Sequence, residues 1–365
     1  MKIALIGTRG VPARYGGFET CVEEIGKRLT ARGHEVWVYG RSAYYQERPS
    51  HYLGMRVRYL PALNVRSVET LSNTLLALLD AVGRPFDVLL VFNSANSPLL
   101  LIPKLLGKKV VLHADGLEWM RGKWNAFGRG YYRWAERVAA KSAIEIIADS
   151  REIQRYYRER YGKETHYISY GAEIRTSRDP SVLKRYGLEP EEYFLQITRF
   201  EPENNPLLLV KAFEKLTTDK KLVLAGGAKY PTAYSKDVFA TKDPRVKFLG
   251  FLYDKNILSG LLGYCYAYIH GNEVGGTNPA LLEAMASGCF VLARDVPFNR
   301  EVLGDKGSYF EKDVDDLAAR MQWSLDHAPA LPAARQAARD VIRSRYDWSR
   351  VVEAYEQLFA GLRRD

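Results

Sequence analysis

Short apolar runs alternate with amphipathic stretches along this chain, and they do so in two successive series. The first series of strand-like runs falls at 2–6, 35–39, 55–60, 87–92, 109–113 and 145–148, with helical patterns such as 18–32 and 67–82 between them. The second falls at 193–198, 221–225, 246–250, 266–270 and 290–293. Brief apolar strands separated by helices predict parallel sheets covered by helices on both sides. At 365 residues and 47% hydrophobic content the chain can fill two such cores. The expected fold is therefore α/β, with two Rossmann-like domains whose parallel sheets face each other across a cleft. Ligands of open α/β sheets bind at the carboxyl ends of the strands. The polar stretch SYGAEIRTSRDPSVLKRYGLEP gives the expected division: a domain over 1–170, a linker over 171–190 and a second domain over 191–347. The last helical pattern, about 348–365, is expected to cross back onto the first domain.

Three cysteines, Cys21, Cys265 and Cys289, are scattered without metal-binding spacing, which predicts buried thiols in a reducing compartment. The apolar run at the amino terminus ends by Arg9, too early for a signal peptide. The longest apolar stretches, near 71–82 and 99–106, are too short to span a bilayer. Soluble and intracellular is the expectation. The formal net charge of +10 is lopsided. Up to Glu173 there are 26 Lys and Arg against 17 Asp and Glu; beyond it there are 27 against 26. Such an excess predicts an anionic neighbour for the first half, the plain alternative being a solvated surface.

The segment Gly275-Gly276-Thr277-Asn278-Pro279-Ala280-Leu281-Leu282-Glu283 follows the strand-like run 266–270 and turns directly into a helix. Asn278 suits the N-cap and Pro279 the first helical position. Gly288 stands where a left-handed C-cap would end that helix. Glycines before a helix N-terminus expose N–H groups to an anion. Glu283, about one turn in, adds a carboxylate that accepts from sugar hydroxyls. Phosphate and hydroxyls together describe a nucleotide or a nucleotide-sugar.

Other constellations sit at strand ends. Gly16-Gly17 closes a long first loop, which is too proline-broken for the compact dinucleotide turn. Arg41 stands where an acidic residue would bind NAD, although it could meet an NADP phosphate. His113 ends a strand and Asp115 follows it, at the expected cleft mouth. A lone histidine of this kind is as readily structural. Arg199 ends the run 193–198 and could clamp a diphosphate, or pair with Glu201 or Glu203. From Trp119 to Lys141 aromatic and basic residues interleave: Trp124, Phe127, Tyr131 and Trp134 at helical spacing, with Arg129, Arg133, Arg137 and Lys141 as an i, i+4 stripe. Gly128 and Gly130 are expected to delay the helix until after them. A basic amphipathic helix of this kind suits an anionic membrane surface, or else packs its aromatics inward.

Together these pieces resemble the family-4 glycosyltransferases of GT-B fold over nearly the whole chain. GTRGVPARYGGFET, DGLEWMRGKW, RFEPENNP and GGTNPALLEAMASG look like a bacterial branch that includes rhamnosyltransferases of polysaccharide assembly. The resemblance implies transfer of a sugar from a nucleoside diphosphate donor with retention of configuration, without a bound metal or cofactor. The first candidate donor is dTDP-L-rhamnose and the runner-up a UDP-hexose. The implied acceptor is a lipid-linked glycan at the inner membrane face, making the enzyme cytoplasmic and peripheral. Residue by residue, the resemblance implies that Arg199, with the backbone of Gly276, Thr277 and Asn278, holds the diphosphate. Gly16, Gly17, Asn204 and Gly275 complete the donor set. Glu283 takes the ribose, and His113 with Asp115 the reacting sugar. Trp119, Arg121, Trp124, Arg129, Arg133 and Arg137 face membrane or acceptor.

Two departures stand out. The family usually has glutamates eight residues apart, and here Gly275 replaces the first while Glu273 lies two residues off register. Asn204 stands where a lysine usually follows the arginine. A deoxy sugar, lacking a hydroxyl, would need fewer contacts. Two other classes compete with this reading. A nucleotide-sugar epimerase or dehydrogenase would need NAD, for which the first loop is wrong. A nucleic-acid binder would leave the Glu283 helix unexplained, so no nucleic-acid partner is expected.

Overall fold

The computed structural model describes residues 1–13, 16–65, 68–114, 116–122, 124–174, 179–228, 230–304 and 307–364. The chain divides into two compact units, Met1–Tyr170 with Trp348–Asp365, and Gly171–Asp347.

The first unit is built on strands β1 (Lys2–Ile6), β2 (Glu35–Arg41), β3 (His51–Tyr52), β4 (Met55–Leu60), β5 (Val88–Phe92), β6 (Val110–Ala114), β7 (Glu145–Ala148) and β8 (His166–Tyr167). They lie in the order β3-β4-β2-β1-β5-β6-β7-β8. All neighbours pair in parallel except β3 and β4. Ile3 to Ile6 and Val88 to Phe92 are buried, as strands covered on both faces must be. The antiparallel exception departs from the expected all-parallel sheet. It comes from a two-residue turn in which Leu53 and Gly54 both have positive φ (48° and 81°), the geometry that turns a strand back on itself.

The second unit carries β9 (Tyr193–Arg199), β10 (Lys221–Gly227), β11 (Val246–Gly250), β12 (Ala267–His270), β13 (Val291–Arg294) and β14 (Ser308–Phe310). Their order is β11-β10-β9-β12-β13-β14, parallel throughout. The strand order reverses between β9 and β12, so the crevice for a ligand opens where those two strands end. Phe194, Leu224, Ile269 and Leu292 anchor the core beneath it.

The stretch expected to be a linker is folded into the second unit. It contains a short helix, Ser181–Lys184, and buries Val182, Leu183 and Leu188. Its apolar residues are too widely spaced among polar ones to read as a core segment. The closing helix, Trp348–Arg364, packs within the first unit. Tyr355 and Phe359 are fully buried there, and Glu356 accepts from Arg32 and from His34 Nε2 at 2.8 Å. The helix Ala126–Lys141 includes Gly128 and Gly130 rather than starting after them. Asn125 caps it by accepting the Gly128 N–H at 2.9 Å, and the buried Tyr132, Ala135 and Ala139 hold its inner face. Packing thus outweighs the ~1 kcal/mol that each interior glycine costs.

Among the described residues no helix is long and apolar enough to cross a membrane. The three cysteines are buried, and none forms a disulfide among the described residues.

Candidate active site

β12 ends at His270, and the following loop delivers Gly275 and Gly276 to the head of the helix Pro279–Ala286. Asn278 is the N-cap, its side chain accepting from Ala280 N at 3.0 Å. Pro279 gives up no hydrogen bond as the first helical residue. Gly288 closes the helix at φ 73°, with Gly288 N donating to Met285 O and Cys289 N to Ala284 O. Thr277 is buried beneath the loop, whereas Glu283 points outward from the helix. Gly275 has φ 158°, and a Cβ built there would meet no atom within 4 Å. The loop therefore has open space at the position where the resembled family usually carries a glutamate. Glu273 does not fill that role. Its carboxylate is taken by Arg294 at 3.3 Å and Lys312 at 2.8 Å, which fix it toward β13 and β14.

On the other side of the reversal point, β9 ends at Arg199. Its guanidinium is partly exposed and has no hydrogen-bond or ion-pair partner among the described residues, so it is not spent on Glu201 or Glu203. Asn204 departs from the expected donor contact. It is 2% exposed, and its amide turns back to donate to the Arg199 carbonyl at 2.9 Å. The side chain shapes the loop that presents Arg199 and does not reach out of it.

Two aromatic residues missed in the sequence stand just past the end of the edge strand β11, which β10 separates from β9. Phe251 and Tyr253 are exposed, with ring planes 3° apart and centroids 6.3 Å apart. The Phe251 ring lies 3.3 Å from where a Cβ on Gly227 would sit, so the glycine at the end of β10 makes room for it. The signal was the pair of aromatics directly after a strand-ending Gly250. Flat exposed rings at the carboxyl ends of strands can stack on a nucleobase.

In the first unit His113 ends up fully buried, near the end of β6. It stacks on Phe92 (5.0 Å, 21°), and Phe18 and Tyr170 pack around it at 5.9 and 5.8 Å. Burial lowers its pKa to about 3, so the imidazole is neutral at pH 7, and neither ring nitrogen has a hydrogen-bond partner among the described residues. Asp115 lies outside the described residues. Gly16 is the N-cap of the helix Gly17–Ala31. In that helix Glu19 accepts from Arg9 N at 3.0 Å and Glu23 from Ala13 N at 2.8 Å, which folds the long first loop back onto the helix. Arg41 is buried against Glu69 at 3.4 Å and Thr70 at 3.0 Å. With those partners it is no receptor for an NADP phosphate.

The basic aromatic stretch divides in two. Arg121 pairs with Glu118, Trp124 packs on Tyr132 at 5.1 Å, and the Arg133 guanidinium lies 4.3 Å over the Trp119 ring. Trp119, Arg121 and Trp124 are thus half-buried and tied to neighbours, and do not form the outward row expected of them. The stripe Arg129, Arg133, Arg137 and Lys141 is exposed, as its spacing predicted, beside Phe127 (84% exposed) and Trp134 (50%). Beneath them Glu136 is buried and accepts from Tyr156 at 2.9 Å and Tyr161 at 3.3 Å. Burial raises its pKa to about 7 against the opposing effect of those hydroxyls. No group of three or more metal-ligating side chains occurs among the described residues.

Residues 16–171 match the Glycosyl transferase 4-like domain, and residues 182–341 match Glycosyl transferases group 1. The chain is a glycosyltransferase of GT-B fold. Sucrose-phosphate synthase of Thermosynechococcus elongatus superposes on the transferase with a TM-score of 0.83 at 18% identity, covering 99% of each chain. HepE of Anabaena, solved with UDP and glucose, gives 0.80 at 19% identity over 99% of this chain and 100% of its own. A phosphatidyl-myo-inositol mannosyltransferase of Mycolicibacterium smegmatis is 22% identical, over 93% of this chain and 90% of its own. The O-antigen chain mannosyltransferase B of Escherichia coli is 28% identical over 155 residues, 40% of this chain and 39% of that protein's length.

Proposed function

We propose that the transferase moves a sugar from a nucleoside diphosphate donor to a glycan acceptor. The observation that carries this reading is the pairing at the strand-order reversal. Arg199, whose guanidinium has no partner among the described residues, ends β9, and a glycine-led helix N-terminus follows β12. Guanidinium and backbone N–H groups together suit a diphosphate, whose departure they would stabilise electrostatically. Glu283 is assigned to the ribose hydroxyls, and Phe251 with Tyr253 to the base. Neutral His113, with Asp115, is assigned to the reacting sugar. The relatives and structural neighbours support the class: two are mannosyltransferases, and HepE was solved with UDP and glucose.

The first candidate donor is dTDP-L-rhamnose. Open space at Gly275, with Glu273 held by Arg294 and Lys312, leaves one sugar hydroxyl without its usual carboxylate partner, as a deoxy sugar allows. A UDP-hexose is the second reading, favoured by the UDP-glucose complex of HepE. The acceptor is proposed to be lipid-linked, with the enzyme at the inner face of the membrane through Phe127, Trp134, Arg129, Arg137 and Lys141. A thermal-shift screen of nucleoside diphosphates and their sugars tests the donor. Stabilisation by dTDP-L-rhamnose above every UDP- and GDP-hexose is the expected result. No stabilisation by any nucleoside diphosphate would sink the whole reading.

A further inference from the structure

The loop after β9 and the loop after β12 are fastened to each other, and the fastening comes at a cost to the residue that makes it. Asn205 opens the helix Pro206–Glu214 from the N-cap position. An asparagine there ordinarily folds its side chain over its own helix N-terminus. Here it makes no such cap, and its backbone is left-handed at φ 55°, ψ 33°. Instead the amide crosses to β12's loop and donates to the Gly271 carbonyl at 2.8 Å, with the residue 4% exposed. Two costs, a strained backbone and a forgone cap, are borne for one inter-loop hydrogen bond. Strain that the surroundings sustain in this way is characteristic of functional positions.

The neighbouring contacts point the same way. Glu273 N donates to Glu203 O at 2.9 Å, and Gln196 Nε2 to Asn204 O at 3.0 Å. The backbones approach so closely that a Cβ on Gly271 would lie 2.4 Å from the Asn204 carbonyl oxygen. From the far side, the Asn299 amide donates to both Asn272 O at 3.0 Å and Arg294 O at 2.8 Å. The start of the glycine loop is thereby fixed relative to the loop that carries Arg199.

We propose that Asn205 is a positioning residue that sets the spacing between Arg199 and the Gly275–Asn278 backbone, so that both meet one diphosphate. This rests on the diphosphate reading above. Asn205 itself touches no donor atom; it acts through the two loops, holding their groups in place before the ligand arrives.

Asn205→Gly tests the assignment, because glycine takes the left-handed backbone without strain and deletes only the amide. Asn205→Asp keeps the shape but sets an acceptor against the Gly271 carbonyl. Calorimetric titrations with UDP and uridine, and with dTDP and thymidine, separate the diphosphate contribution from that of the nucleoside. Asn205→Gly is expected to melt somewhat lower because it frees the Gly271 carbonyl, and to bind nucleoside unchanged, yet to bind the nucleoside diphosphate about tenfold more weakly, with Asn205→Asp weaker again. Variants that match the parent for both ligands overturn the proposal. So do variants that lose nucleoside and diphosphate affinity equally while melting lower, since that is a purely structural role. A parent that binds neither diphosphate overturns the donor reading and this assignment with it, which distinguishes the two failures.

Discussion

Arg199 is the residue on which the proposed site most depends. With Asn204 turned inward, no second side-chain cation from that loop shares a bound diphosphate. Arg199→Ala should therefore weaken nucleoside diphosphate binding by about 1.5–3 kcal/mol, the worth of hydrogen bonds to a charged group, and slow transfer to match. Asn204→Ala should act differently, lowering the melting temperature through a freed carbonyl and affecting binding only secondarily. Titration of UDP and dTDP into both variants checks this, and equal small losses would remove the clamp. Sequence reading located Arg199 well because strand ends are easy to find. It erred on Asn204, since a match to an expected lysine position says nothing of where an amide points. A lysine there would have to enter a buried space, so Asn204→Lys should destabilise the fold rather than restore a contact. His113 shows the same limit: its place at the end of β6 was legible, but its enclosure by Phe18, Phe92 and Tyr170 depends on segments far apart in sequence.

At the scale of elements, periodicity located the long strands and most helices, and it failed where the pattern was short or the turn unusual. β3, β8 and β14 are two or three residues long, too brief for any alternation to show. The β3–β4 turn uses Leu53-Gly54, without the Asn-Gly or Asp-Gly signal that announces such hairpins. The helix Ala126–Lys141 and its exposed basic stripe were found, but Trp119, Arg121 and Trp124 before it were misjudged, because spacing gives a face and not the partners on it. Arg129, Arg133, Arg137 and Lys141 are exposed next to Phe127 and Trp134, with Arg133 also lying over the Trp119 ring. Each such cation contributes about 1 kcal/mol near an anionic surface, within a Debye length. An Arg129/Arg137/Lys141→Glu triple variant should lose sedimentation with phosphatidylglycerol vesicles at low salt. Arg133→Glu should instead loosen the segment by abandoning the Trp119 ring, with a lower melting temperature. Vesicle binding unchanged in the triple variant would leave this helix face merely solvated.

For the whole molecule, acid should act unequally on the two units, and the reason is where the titrating groups lie. His113 belongs to the first unit and His270 to the second; burial holds each at a pKa of about 3, below the ordinary 6.5. A histidine depressed in this way adds stability that is complete above the unfolded pKa and drains away as pH falls from about 6.5 towards 3. Glu136, also in the first unit, behaves oppositely: its folded pKa of about 7 exceeds its unfolded 4.5, so stability rises as pH falls between those values. Between pH 7 and pH 5 each group is worth roughly 2 kcal/mol. The two cancel in the first unit, whereas His270 stands alone among these strongly shifted groups in the second. Carboxylates held low by arginine, such as Asp80 and Asp243, stay ionised through this window and do not alter the balance. Hydrogen exchange read strand by strand should therefore show β9, β10 and β12 losing protection at pH 5 while β1, β5 and β6 hold theirs, once intrinsic exchange rates are corrected for pH. Glu136→Gln removes the compensation, because a neutral amide still accepts from Tyr156 and Tyr161 but cannot gain from protonation. In that variant the first unit should become as acid-sensitive as the second. Equal loss of protection in both units of the parent would mean that the Glu136 carboxylate is already ionised at pH 5, and burial at the foot of that helix would then be less complete than the structure describes.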